Sequence, residues 1–168
     1  MASPVPRPNR WSLGRKRLRF LQNYPWLLEV VYKMTLTVLR PFRSWLKPGG
    51  LSEQIFVRIE RLSKGLIFDC QMCGTCVLHN TGMTCPMTCP KSLRNGPCGG
   101  VRIDGNCEIL PDKPCVWVQA WDRSKRMSLF GSSILQIQPP PNQSLVGTSA
   151  WINQINKIAP KVPVGWDE

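Results

Sequence analysis

Eight cysteines fall between Cys70 and Cys115, and the 168-residue sequence has none elsewhere. Their text is CQMCGTCVLHNTGMTCPMTCPKSLRNGPCGGVRIDGNCEILPDKPC, with the gaps C-x2-C-x2-C-x8-C-x3-C-x8-C-x8-C-x7-C. Cys70, Cys73 and Cys76 stand too close together for a ladder of disulfides, but a tight loop of this spacing can wrap one metal centre. A cubane iron–sulfur cluster takes three thiolates from such a loop and a fourth from a remote cysteine, commonly one followed by proline. Cys85-Pro86 and Cys89-Pro90 both offer that pattern. The expected division is Cys70, Cys73, Cys76 and Cys89 around a 4Fe-4S cluster. Cys85, Cys98, Cys107 and Cys115 are then left for a second site holding zinc or a second cluster. Zinc remains the alternative throughout, since four thiolates close a tetrahedral site that stabilises a fold without doing chemistry. Zinc knuckles, however, use ligands in pairs, and a triple leaves one thiolate over.

Metal is preferred to disulfides on two grounds. The start, Met-Ala-Ser-Pro, lacks the basic, apolar and small-residue succession of a secretory signal. A cytoplasmic and therefore reducing compartment is the resulting expectation, where clustered cysteines favour metal. So short a stretch, rich in proline and glycine, also buries too little apolar surface to hold itself together without a staple.

The remaining chemistry-bearing residues are few. His79, the one histidine, reads as a surface or outer-layer residue, because eight thiols already fill two four-ligand sites. Lys91, Arg94 and Arg102 are candidates for contacting an anionic partner or tuning a cluster, with solvated surface charge the bland reading. Gly74 permits the close approach and unusual dihedrals of a metal loop. A single histidine leaves no room for a Ser-His-Asp or Cys-His triad. Neither GxGxxG nor GxxxxGK[ST] occurs, so no flavin or nicotinamide site is expected in this chain itself. The chain reads as a non-catalytic subunit.

The elements that must position these cysteines come next. Residues 1 to 19 hold three prolines and six basic side chains without an acid, an extended basic arm. Between Pro25 and Pro41 an apolar face containing Trp26, Leu27, Val30, Val31, Met34 and Val38 predicts a helix, with Asn23 as its cap and Glu29 pairing Lys33 on the surface. It is too short and interrupted to span a membrane. It is expected to pack on this domain or a partner, or to lie on an anionic membrane. Lys47-Pro-Gly-Gly50 breaks the chain, and residues 51 to 64 predict a second helix with Ser52 as cap and Gly65 as its end. Asp69 to Cys115 reads as turns. QIQPPPNQS reads as a stiff linker, and GTSAWINQINKIAP as a short docking helix capped by Thr148 or Ser149.

The fold expected from this is a small irregular α+β protein: a metal-stapled cysteine module flanked by short helices, with extended terminal arms. Its divisions are 1–50, a basic aromatic arm; 51–125, a helix plus the cysteine module; and 126–168, the linker and docking helix. Charge supports the separation of arm and module. Residues 1 to 64 carry thirteen Lys or Arg against three acids, so +10 of the formal +12 lies there, while Asp69 to Cys115 balances four against four. A module without net positive charge argues against nucleic acid as a partner.

The long motif CxxCGxCxLxxTGxxCPxxCPKxLRNGPCGG, Cys70 through Gly100, followed by GNCE at 105 to 108 and PCVW at 114 to 117, resembles the C-terminal domain family of methylenetetrahydrofolate reductase. The resemblance extends over about residues 60 to 160, including GTSAW at 147 to 151, and leaves the arm at 1 to 50 outside. It implies a cysteine-rich metal subunit bound to a flavin-containing TIM-barrel catalytic subunit. There it would stabilise the complex or relay electrons to the flavin that reduces methylene- to methyl-tetrahydrofolate. The catalytic residues belong to the barrel. A peripheral membrane contact through 1–50 is a further expectation, drawn from the arm's composition alone.

Overall fold

The computed structural model describes residues 18–159, so most of the basic arm and the last nine residues lie outside the described part. Four α-helices occur among the described residues: α1 Pro25–Leu39, α2 Leu51–Phe68, α3 Val116–Ser124 and α4 Ala150–Ile155. Short 3-10 turns join them, including Arg19–Asn23 before α1 and Pro86–Thr88 within the cysteine segment.

The α+β expectation is overturned. No strand is present among the described residues, and the cysteine segment holds only two isolated antiparallel bridges, Val101 with Cys107 and Asn106 with Pro114. A ladder needs several consecutive extended residues. Here the chain turns through positive φ at Gly96, Gly99 and Gly105, so no run of extended residues survives between them. α2 is also longer than the expected 51–64, at 18 residues, whereas α1 fills the span expected between Pro25 and Pro41.

Pro25 opens α1 as the sequence predicts, but Tyr24, not Asn23, is the cap, and it makes no side-chain bond. Glu29 does not pair with Lys33. It is fully buried and accepts four hydrogen bonds from the turn after α3: Ser128 N–H at 2.8 Å, Ser128 hydroxyl at 3.1 Å, Leu129 N–H at 3.0 Å and Phe130 N–H at 3.2 Å. α2 runs through Gly65 to Phe68 and stops where Asp69 takes a left-handed conformation, φ 56 and ψ 46. Gly50 precedes it as cap, without help from the Ser52 side chain. α4 begins as predicted, with the Ser149 hydroxyl accepting from the Ile152 N–H.

Two apolar clusters hold these parts together. Tyr32 of α1 packs with Leu78, Met83, Cys85 and Met127, so the cysteine segment is itself part of the core. Leu46 packs with Ile152 and Ile155, docking α4 beneath the α1–α2 connection. The Tyr32 hydroxyl bonds the Gln154 side chain at 2.7 Å, tying α1 to α4. Buried Arg123 of α3 reaches Gln22 at 2.7 Å and Thr84 at 2.9 Å. Much of the apolar face of α1 and α2 stays uncovered: Trp26, Val31, Met34 and Val38, then Leu51, Ile55, Ile59 and Leu62. None of the described helices is long and apolar enough to cross a membrane.

A candidate metal centre walled by four thiols

The left-handed turn at Asp69 swings the chain off α2 and into the loop of Cys70, Cys73 and Cys76. Two further positive φ angles, 52 at Met72 and 71 at Gly74, curl that loop so that successive thiols face one cavity. A Cβ at Gly74 would overlap the Leu145 carbonyl, so only glycine lets the tail lie against the loop here. The tail then clamps it. Gly147 N–H donates to the Met72 carbonyl at 2.8 Å, and the buried Asn153 amide donates to the Gly74 carbonyl at 2.9 Å.

The fourth cysteine on this cavity is Cys85, not Cys89. Cys89 lines a second cavity together with Cys98, Cys107 and Cys115. The turn Pro86–Thr88 separates the two. Cys85 and Cys89 flank it in extended conformations, φ −73 and ψ 112 against φ −65 and ψ 131, so the chain enters on one side and leaves on the other. Sequence spacing carries no sign of this, because both cysteines precede proline. The structure therefore groups the eight cysteines as Cys70, Cys73, Cys76, Cys85 and as Cys89, Cys98, Cys107, Cys115.

Among the described residues, no three His, Cys, Asp or Glu side chains gather closely enough to hold a single metal ion as they stand. The first four thiols wall a void of about 20 Å³ instead of converging on a point. Burial pushes the Cys70 thiol up to about 12 and also raises Cys76 and Cys85, with the mutual repulsion of neighbouring thiolates adding to it. Cys70, Cys76 and Cys85 thus hold their protons, and a metal displaces such protons on binding.

Three charged side chains that the sequence reading either passed over or left open line the same cavity: Glu60, Lys64 and Arg94. Glu60 and Lys64 form a buried ion pair one helical turn apart on α2, and the Lys64 ammonium sits 4.2 Å over the Trp151 ring. Burial disfavours the Lys64 charge, but the neighbouring Cys76 and Glu60 outweigh it and raise its pKa. A Glu–Lys pair at this spacing ordinarily reads as helix surface, so only tertiary packing reveals it. Arg94 is 6% exposed. Its Nη2 donates to the Thr75 carbonyl at 2.8 Å, inside the triple's own loop, while Nε and Nη1 have no hydrogen-bond partner.

The second cavity is of similar size, about 20 Å³. Cys98 is exposed, accepts from the Gly100 N–H at 3.4 Å and lies 3.7 Å from a Glu108 carboxylate oxygen that also pairs with Lys91. Cys107 and Cys115 are drawn in by the two β-bridges, with Cys107 N–H donating to Lys113 and Cys115 N–H to Gly105. His79 belongs to neither site. It stacks on Tyr32 at 5.0 Å and meets Phe130 edge-on at 5.6 Å, and burial lowers its pKa to about 4.

No curated protein and no solved structure matches the chain. The family model described as methylene-tetrahydrofolate reductase C terminal matches residues 50–144, which takes in all of α2, both cysteine sets and α3, and stops before α4. That match covers more than half of the sequence, and the chain belongs to the methylenetetrahydrofolate reductase C-terminal domain family.

Proposed function

We propose that this chain is the accessory iron–sulfur module of a methylenetetrahydrofolate reductase, in which Cys70, Cys73, Cys76 and Cys85 hold a 4Fe-4S cluster for electron transfer to a flavin-bearing catalytic partner. The observation that carries this reading is the chemistry of the first cavity: four thiols beside a buried guanidinium with two unpartnered nitrogens. Both features fit a thiolate-bound, anionic centre. When bound, such a group stores and passes single electrons at a potential set by its surroundings. The chain's own residues supply the rest. The four thiols bind, Gly74 and the Asn153 amide fix the loop, and Val77, Leu78 and Met87 shield the cavity from water.

For Cys89, Cys98, Cys107 and Cys115 we infer a staple of zinc or a second cluster. The segment from Cys89 to Cys115 contributes almost nothing to the apolar core, so metal binding there is folding energy. The uncovered apolar face of α1 and α2 is the surface assigned to the catalytic partner. Exposed basic side chains stand on α2 itself, Arg58 and Arg61, and on the connection between the two helices, Arg40, Arg43 and Lys47.

A second reading, a metal-stapled structural module without a redox role, draws on the smallness of the first void. At about 20 Å³ it is nearer the room taken by a water or an ion than that of a cluster. Anaerobic purification, metal analysis and a visible spectrum before and after dithionite separate the two. About four irons per chain, or about eight if both sites load, with absorption that bleaches on reduction, supports electron transfer. Colourless protein carrying zinc alone replaces that reading with the structural one.

A further inference from the structure

We infer that Arg94 is the positioning charge that sets the reduction potential of the centre in the Cys70–Cys85 cavity. This inference rests on the iron–sulfur reading above. A guanidinium is costly to bury without an anion, because its desolvation is repaid only by a close and well-bonded partner. Arg94 is buried, and its single bond, to the Thr75 carbonyl, leaves Nε and Nη1 without a partner on the wall of the thiol cavity. Among the described residues no ion pair involves Arg94, and the one carboxylate lining the cavity, Glu60, is paired with Lys64.

The two cations of the cavity are thus unequal. Lys64 and Glu60 form a pair whose charges largely cancel at a distance, so it adds little net field. Arg94 contributes a whole positive charge, with two nitrogens left to donate. A thiolate-bound cluster is anionic, and its reduced form carries one more negative charge than its oxidised form. A fixed cation at the cavity wall therefore stabilises the reduced form more and raises the potential, through both charge and hydrogen bonds to sulfur. The bond to Thr75 holds the guanidinium in the loop that carries Cys73 and Cys76, so the geometry is set before the centre is bound.

The test compares wild type, Arg94→Gln and Arg94→Lys as full-length, anaerobically prepared protein. Iron content and the midpoint potential from a dye-mediated titration followed by electron paramagnetic resonance are the readouts. Arg94→Gln is expected to keep its iron and to lower the equilibrium constant for one-electron reduction about tenfold, which is about 59 mV. Arg94→Lys keeps the charge, and its constant should stay within about threefold of wild type. An Arg94→Gln protein with full iron and an unchanged potential overturns the inference. If Arg94→Gln fails to hold iron, Arg94→Lys decides: a potential near wild type supports the charge, and a tenfold fall refutes it. Wild type without bleachable iron overturns the cluster reading and this inference with it. Bleachable iron at a potential insensitive to Arg94 overturns this inference alone.

Discussion

Replacing Glu29 by Gln exchanges one oxygen for an NH2 group and should cost this protein much of its stability. Glu29 lies on α1 with no exposed surface, and its two carboxylate oxygens take four bonds from residues 128–130. Each oxygen serves two donors. An amide keeps one acceptor oxygen and turns an NH2 toward the two donors that faced the other, so two charge-assisted bonds are lost and donors oppose donors. At about 1.5–3 kcal/mol for a bond to a charged group, the loss is roughly 3–6 kcal/mol, partly offset because a neutral amide is less costly to bury. For a chain of this size that is a fall in Tm on the order of 10 °C. Thermal unfolding followed by circular dichroism measures it, with Lys33→Gln as control. If Glu29 and Lys33 were instead a surface pair, both variants would shift stability by about 0.5 kcal/mol or less. A Glu29→Gln Tm within a degree or two of wild type would refute the argument.

Two further perturbations test other parts of the packing. His79, stacked between Tyr32 and Phe130, is held neutral by burial, with its pKa lowered from 6.5 to about 4. The unfolded chain therefore takes up a proton at higher pH than the folded one. Stability from this group is whole above about pH 6.5 and is lost as pH falls toward 4, about 3 kcal/mol in all. His79→Phe should flatten the pH dependence of denaturant-determined stability in that window, and an unaltered slope would contradict the assignment. Gly74→Ala meets both a positive φ and the Leu145 carbonyl, whereas Gly49→Ala meets the same backbone demand in open space. The former should cost about 2 kcal/mol or more and the latter about 1. Equal losses in chemical denaturation would show that the tail does not press on the loop.

Local features were more legible in the sequence than the contacts between distant parts. Three cysteines spaced by two residues announce a loop whose thiols face together, and the left-handed turns at Met72 and Gly74 fulfil it. Pro25 and Ser149 mark the starts of α1 and α4 because their effects are local: a fixed φ and a short side chain reaching an N–H. What depends on distant parts was hidden. Gly65 does not stop α2, because Asp69 can take the terminating conformation itself and Phe68 packs against the Tyr32 cluster. Glu29 reads as surface until residues 128–130 arrive with their unpaired N–H groups. The α3 helix went unnoticed after Cys115, although Val116, Trp117, Ala120, Arg123 and Ser124 recur at helical spacing and are buried. The allocation of Cys85 and Cys89 turns on one three-residue turn, whose direction no spacing encodes.

The most direct measurement of the central claim is to see which cysteines lose a metal centre together. Cys70→Ser, Cys85→Ser, Cys89→Ser and Cys107→Ser proteins, prepared anaerobically, would be compared by iron and zinc content and by the resonance spectrum of the reduced state. The account predicts that Cys85→Ser abolishes the same signal as Cys70→Ser, while Cys89→Ser preserves that signal and shares the loss seen with Cys107→Ser. A Cys89→Ser protein that loses the Cys70 signal while Cys85→Ser keeps it would contradict the grouping, and with it the site on which the proposed function stands.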